Sequence, residues 1–149
     1  MTLITRQISI EDKAAWQILY LGYLKFYDSE PIERSTELVW QRLTTEDPQI
    51  HGLVAELDGV VVGITHFHYQ LSTWTHSFHC YLEDLYVSEE ARGKGVASAL
   101  IAEVKKLAIE HKCSELFWIT KESNAVARKL YDKVSTKSDF VRYEIMLEE

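Results

Sequence analysis

The 149-residue chain has little of what marks several protein classes. It contains two cysteines, Cys80 and Cys113, which are too few for a disulfide framework, and we expect both to be reduced thiols. It has no apolar run long enough to span a bilayer, and Met1–Ile10 lacks the apolar stretch of a signal peptide. We therefore expect a cytoplasmic protein with no membrane partner.

Basic residues are also scarce, since 16 lysines and arginines face 23 acids and give a net charge of −7. This balance disfavours nucleic acid as a partner and suits cationic partners, although it is equally common in proteins that are merely soluble. His66 and His68 share a strand face, but no cysteine or acid completes a ligand shell, so we expect no metal. Without repeats or a linker, residues 1–149 are expected to form one domain.

Hydrophobic periodicity predicts a mixed α/β fold. Asp58-Gly59 is a strong hairpin signal between two strands, and a helix between the fourth and fifth strands implies that those two strands are parallel. Alternating residues at the end of the chain predict a last strand that is able to pair or exchange with a partner copy. The predicted strands cover residues 3–7, 51–57, 60–71, 78–87, 115–120 and 140–147. One predicted helix ends near Tyr27, and the other three cover residues 32–43, 95–111 and 124–133.

The fourth strand leads into a glycine-containing run, Arg-Gly-Lys-Gly-Val-Ala at residues 92–97, and then into a long helix. Glycines let the backbone curl, and the unpaired N–H groups of a first helical turn bind phosphate. Arg92 and Lys94 would add positive charge. The spacing fits neither a Walker loop nor a complete dinucleotide fingerprint, and taken alone it also fits a plain basic turn.

Two motifs together narrow these alternatives. Arg92, Gly95 and Ala97 follow a strand reading LEDLYV, and this arrangement resembles the acetyl-CoA loop of the GNAT N-acetyltransferase superfamily. Downstream, Trp118-Ile119-Thr120 and the set Asn124, Ala127, Leu130 and Tyr131 are similar to the second half of that cofactor site. The stretch from His66 to Asp84 is most similar to the spermidine/spermine, thialysine and histone/polyamine acetyltransferase subgroup.

The resemblance implies a fold and a cofactor. The fold would be α/β, with a mixed, mostly antiparallel central sheet, helices on both faces and splayed central strands that form the acetyl-CoA cleft. Asn124 also suits the N-cap of the fourth helix without any cofactor. The implied acetyl-CoA contacts are Leu85, Tyr86, Val87, Arg92, Gly93, Lys94, Gly95, Val96, Ala97, Asn124 and Lys129.

The resemblance also implies two catalytic residues. Acetylation of an amine requires a base, because an alkyl ammonium has a pKa near 10.4. Glu83 matches the family's base, although it also suits a plain strand ion pair. In a regular strand Asp84 would point to the opposite face, and a bulge would exchange the two acids. A phenol can protonate a leaving thiolate, and Tyr131 matches the family's acid, although it also suits a core position.

The substrate site is expected to hold acids and aromatic rings that suit a cation. We expect Tyr20 and Tyr23 to serve chiefly in the core, and Trp74 suits an interface as well as a substrate channel. The expected substrate contacts are Tyr27, Glu30, Glu33, Trp74, Glu83 and Asp84.

The resulting hypothesis is an acetyl-CoA-dependent N-acetyltransferase. It would act on a small cationic amine, such as a polyamine, a diamine or a lysine-like amino acid, by direct attack in a ternary complex. Two alternatives remain at this point: acetylation of lysines in proteins such as histones, and a catalytically silent CoA-binding regulatory module. Relatives are commonly homodimers, so the resemblance also implies a homodimer.

Overall fold

The computed structural model describes residues 1–29 and 33–148. It divides into two compact units, Met1–Ile119 and Thr120–Glu149. Among the described residues, no helix is both long enough and apolar enough to cross a membrane.

The first unit is built on a five-stranded sheet in the order β1-β2-β3-β4-β5. All neighbouring strands are antiparallel except β4 and β5, which are parallel as predicted. The strands are β1 (Leu3–Gln7), β2 (His51–Leu57), β3 (Val60–Leu71), β4 (Phe78–Val87) and β5 (Glu115–Phe117); the helices are α1 (Lys13–Phe26), α2 (Glu33–Thr44) and α3 (Val96–Glu110).

Local sequence explains several of these boundaries. The β2–β3 turn has positive φ at Asp58 (51°) and Gly59 (84°), the geometry of a two-residue hairpin turn with left-handed central residues. Before α1, the Asp12 carboxylate accepts a hydrogen bond of 2.8 Å from the Ser9 amide, as expected for a helix start. The predicted hairpin is therefore confirmed.

Helices cover both faces of the sheet, as predicted. On one face, here called the α1 face, Ile64 packs in a buried cluster of Trp16, Leu19, Trp40, Leu43 and Val54. On the other, the α3 face, Gly63 lies so close to the helix that an added Cβ would come within 2.8 Å of Val96 Cγ1. Because neighbouring strand residues alternate between faces, Ile64 and Gly63 show which helices cover which side.

The β4–β5 pairing is short. It joins His79–Tyr81 to Glu115–Phe117, so β5 ends three residues before the predicted boundary at residue 120. Strand β4 continues for six more residues, to Val87. Among the described residues no strand pairs with this part of β4 on the β5 side, so an open edge remains where the splayed cleft is expected.

The second unit contains helix α4 (Ala125–Val134). The predicted strand over Phe140–Leu147 is wrong, because these residues have no regular secondary structure in the described chain. A strand is stable only when its backbone groups pair with another strand, and no other extended segment is described within this unit. Val141, Tyr143, Ile145 and Leu147 are all highly exposed.

Candidate active site

A β-bulge at Glu83 shapes the site. His66 pairs with Asp84 and Phe67 pairs with Leu82, so Glu83 is an extra residue on β4. The bulge turns Glu83 and Asp84 to the same side of the sheet, the α1 face, because Asp84 lies opposite His66. The opposite orientation of Asp84 is expected only for a regular strand, and the bulge places both acids on one face instead of exchanging them.

Glu83 is the more accessible of the two acids. Its side chain is 44% exposed, and its Oε2 lies 4.0 Å from Nε2 of His68. His66 and His68 lie on the α1 face of β3, so this contact supports the same orientation for Glu83. A carboxylate that is open to solvent is able to accept a proton from an incoming group.

Asp84 is held more tightly. Its side chain is 17% exposed, and its Oδ2 lies 2.8 Å from Nδ1 of the fully buried His66. Tyr23 lies close enough to Asp84 for the carboxylate to raise the pKa of its phenol. On the far side of the imidazole, the Trp16 indole N–H donates to His66 Nε2 at 2.9 Å. A chain of hydrogen bonds therefore runs from Trp16 through His66 to Asp84.

Aromatic rings on α1 line this acidic region. The rings of Trp16 and Tyr20 are stacked with centroids 5.0 Å apart, and Tyr23 and Tyr27 follow at 6.2 and 5.0 Å along the helix. Burial, then Asp84 and then Glu83, raise the pKa of Tyr20. Burial and the charge and hydrogen bond of Asp84 raise the pKa of Tyr23 far above its ordinary value. Both phenols are therefore protonated donors beside two acids.

The loop before α3 has the backbone geometry expected for a phosphate site. Gly93 and Gly95 have φ of 76° and 82°, which favour glycine, and Gly95 is the N-cap of α3. The first turn of α3 contains no acid, and no side chain caps it. Its first N–H groups have no partner within the helix and are available to a phosphate.

Arg92 borders both the loop and the tyrosines. Its Nε donates to the Val87 carbonyl at 3.1 Å, and its guanidinium lies 5.5 Å from the centroid of the Tyr86 ring. Tyr86 in turn contacts Tyr23 edge to face. The predicted cofactor residues of β4, namely Leu85, Tyr86 and Val87, therefore lie between the acidic region and the loop, which also includes Lys94, Val96 and Ala97.

Other predicted substrate residues are less closely connected to the acids. Trp74 is 80% exposed in the β3–β4 turn. Glu83 lies five residues beyond the start of β4, about 17 Å along the strand at 3.4 Å per residue. Glu30 and the side chain of Glu33 lie outside the described residues.

Three predicted residues belong to the second unit. Asn124 precedes α4, but its side-chain amide donates to the Thr120 hydroxyl at 3.1 Å and makes no cap hydrogen bond. Tyr131 is half-buried on α4, and Lys129 is exposed. The roles predicted for these residues stay predictions.

Sequence reasoning missed His66 as part of the site and placed Tyr23 mainly in the core. A histidine in a buried strand next to an apolar run was the available signal, since buried polar groups require partners. The partner was not identifiable, because the β3–β4 register depends on a bulge and on a six-residue turn. Among the described residues, no group of three or more His, Cys, Asp and Glu side chains could hold a metal ion.

Comparison with known sequences links residues 14–135 to one family model, described as the acetyltransferase (GNAT) family. A D-amino-acid N-acetyltransferase from Saccharomyces cerevisiae is 30% identical over 144 residues, which cover 95% of this chain and 89% of that enzyme. A thialysine N-epsilon-acetyltransferase from Sus scrofa is 33% identical over 100 residues. That match covers 62% of this chain and 58% of the Sus scrofa enzyme.

Solved structures support the same fold. A ribosomal-protein-alanine N-acetyltransferase from Brucella melitensis matches with a TM-score of 0.82 at 24% identity, covering 98% of this chain and 100% of that one. A probable acetyltransferase matches with a TM-score of 0.86 at 24% identity, covering 100% and 99% of the two chains. At this identity the likeness concerns the fold, which agrees with the predicted α/β sheet covered on both faces.

Proposed function

Since the chain belongs to the acetyltransferase (GNAT) family, we propose that it transfers the acetyl group of acetyl-CoA to the primary amine of a small cationic substrate. The observation that carries the substrate class is the pair of carboxylates, Glu83 and Asp84, which the bulge turns to one face beside the tyrosines of α1. Carboxylates and aromatic faces both favour an ammonium or alkylammonium group.

Glu83 is proposed as the base. The substrate amine loses a proton to Glu83, directly or through water, and its nitrogen then forms a bond to the thioester carbonyl carbon. The tetrahedral intermediate collapses with cleavage of the C–S bond; the departing sulfur takes a proton, and the nitrogen gives up its second proton, which returns to the proton donor. Tyr131 is proposed as the donor of the proton to sulfur. The exposure of Glu83 and its distance of 4.0 Å from His68 support its role.

The proposed acetyl-CoA contacts lie in both units. In the first, the open edge of β4 at Leu85–Val87 would accept the amide-containing arm, and the loop from Arg92 to Ala97 would hold the pyrophosphate. In the second, Asn124 and Lys129 are proposed as further contacts. The positive φ values of Gly93 and Gly95 and the uncapped start of α3 support the phosphate assignment.

A polyamine, diamine or lysine-like amino acid is the proposed acceptor. The relatives are named for D-amino acids and for thialysine, which makes both compounds necessary members of any test. The experiment measures CoA release from acetyl-CoA at neutral to mildly alkaline pH. The panel contains spermidine, a short diamine, L- and D-amino acids, thialysine and lysine-containing peptides.

Turnover of a small amine with saturation kinetics supports the proposal. Turnover of peptides alone would replace it with a protein acetyltransferase. Silence across the panel, with acetyl-CoA shown to bind by calorimetry, would overturn it in favour of a CoA-binding module. A Glu83→Gln variant serves as the background control, because its amide keeps the shape of the side chain but cannot accept the proton.

We also infer that the protein is a homodimer, in the cytoplasm where acetyl-CoA is available, and that Phe140–Leu147 forms part of the subunit contact. Arg142 and Glu144 pair at 3.5 Å, as expected for neighbours on one side of an extended segment. Tyr143, Ile145 and Leu147 alternate with them and are 82–92% exposed. Such a segment suits pairing with a second copy.

Analytical ultracentrifugation tests the dimer. We expect a dimer for the wild type, and a monomer when Tyr143 and Ile145 are both changed to Asp. Changing Arg142 and Glu144 to Ser is the control, because these side chains lie on the polar side. A wild-type monomer would refute the dimer, and a dimer that survives the double Asp change would refute this contact.

A further inference from the structure

His66 is buried, and its two ring nitrogens have different partners. The indole N–H of Trp16 can only donate, so Nε2 of His66, 2.9 Å away, must accept. The ring proton therefore lies on Nδ1, which is 2.8 Å from Oδ2 of Asp84 and donates to it. Trp16 thus selects the tautomer in which His66 points an N–H at the acid.

The Asp84 carboxylate receives a hydrogen bond from an uncharged group. It comes from the His66 ring in this tautomer, and burial and Asp84 keep the neighbouring Tyr23 phenol protonated. Of the ion pairs among the described residues, none joins Asp84 to a lysine or arginine. A neutral donor fixes the orientation of a carboxylate without supplying a positive charge to pair with it.

We propose that His66 is a positioning residue for the amine substrate: with its tautomer set by Trp16, it orients the Asp84 carboxylate on the α1 face, where that carboxylate binds the substrate ammonium next to Glu83. The inference rests on the proposed function, since it assigns a contact within that same site. Asp84 touches the substrate, whereas His66 acts through Asp84.

The bulge explains why a positioning residue is needed. An extra residue on β4 interrupts the ladder, so the backbone fixes the Asp84 side chain less firmly than in a regular strand. The Thr65 hydroxyl holds the Asp84 carbonyl at 2.7 Å, but this contact does not orient the carboxylate. The imidazole supplies that orientation from the neighbouring strand.

Two substitutions separate positioning from packing. An Asn side chain places its amide nitrogen near the former Nδ1, whereas a Gln side chain reaches the former Nε2. His66→Asn therefore keeps a donor for Asp84, and His66→Gln keeps the contact with Trp16 but loses that donor. We expect His66→Gln to raise the amine KM about tenfold and His66→Asn to raise it less than about threefold. The acetyl-CoA KM should stay unchanged in both.

His51→Phe is the matched control. His51 lies on β2, and its ring packs against Phe67 and Tyr69 on the α3 side of the sheet. Like His66, it is a histidine on a strand, but these contacts lie on the side of the sheet opposite to Asp84. We expect this change to leave the amine KM as in the wild type, even if the melting temperature falls.

Nitrogen-15 NMR of labelled histidine tests the tautomer without any turnover. We expect His66 to carry its proton on Nδ1 in the wild type. In Trp16→Phe, which removes the indole donor, the fixed tautomer should be lost and the amine KM should rise. This measurement also applies if the His66 variants fail to fold.

The following results would overturn the positioning role of His66 or the proposed function on which it rests. A proton on Nε2 in the wild type, or equal effects of Gln and Asn on the amine KM, overturns the positioning role while the proposed function stands. A parallel rise in the acetyl-CoA KM with loss of stability shows a packing role and overturns it as well. A wild type that acetylates no amine removes the proposed function, and the ammonium contact with it.

Discussion

Asp12 and Asp84 are both largely buried carboxylates, but their hydrogen-bond partners differ in charge. Asp12 accepts two hydrogen bonds of 2.8 Å from the Arg6 guanidinium and one from the Ser9 amide, so its charge is neutralised. Asp84 accepts from the neutral His66 ring, and no lysine or arginine among the described residues pairs with it, so its charge is not. The first arrangement ties α1 to β1, and the second leaves a charge for a ligand.

We expect the largest effect from Glu83→Gln, which removes the proposed base beside Asp84 and should lower turnover. We expect kcat to fall by about 10²- to 10⁴-fold, the usual contribution of a general base. The melting temperature should change little, since Glu83 is exposed. Steady-state kinetics with the best amine measures the effect, and Glu110→Gln on α3 is the control. Unchanged turnover would show that Glu83 is not the base.

Asp12→Asn should act on stability alone. Losing a charged partner of Arg6 in a well-shielded place is expected to lower the free energy of unfolding by about 1–3 kcal/mol. Urea denaturation measures this loss, and the kinetic constants should stay as in the wild type. A changed amine KM would show that Asp12 also affects substrate binding, which would contradict a purely structural role.

The ion pair between Arg6 and Asp12 predicts that stability depends on pH. Hydrogen bonds from Arg6 hold the pKa of Asp12 below its usual range. The stabilisation is therefore complete above the pKa of an unfolded aspartate, about 3.9, and is lost as the pH falls through the lower folded value. The difference in stability between wild type and Asp12→Asn should shrink in that acidic range. A constant difference would refute the linkage.

Asp84→Asn should raise the amine KM and leave stability nearly unchanged, which is the reverse of the result expected for Asp12→Asn. The amide oxygen still accepts from His66, so we expect the free energy of unfolding to change by less than about 1 kcal/mol. The lost charge should raise the amine KM about tenfold. Kinetics and urea denaturation on the same preparation test both parts, and a large loss of stability with normal kinetics would make Asp84 a structural acid like Asp12.

The smallest effect is expected for Glu56→Gln. Glu56 is the second partner of Arg6, but Asp12 continues to hold the guanidinium from the other side. We expect a loss of about 1 kcal/mol or less. Urea denaturation in parallel with Asp12→Asn tests the ranking, and a larger loss for Glu56→Gln would reverse the roles of the two acids.

Local patterns predicted most of the fold. Strands over 51–57, 60–71 and 78–87 have the predicted bounds, because branched and aromatic residues alternate there and Asp58-Gly59 forces a turn. The strand over Phe140–Leu147 has the same local pattern, yet it does not form. A strand depends on a partner, and the sequence of one segment does not specify where that partner lies.

The sequence alone determined the order of the elements, the glycine loop before α3 and the family resemblance, because these depend on residue types at short spacing. The tertiary structure decided which residues share the site. Only the pairing of β3 with β4 created the bulge, and the bulge brought Asp84 to the same face as Glu83. Only packing of α1 placed Trp16 and Tyr23 on either side of the His66–Asp84 pair, since contacts between distant segments depend on register and packing.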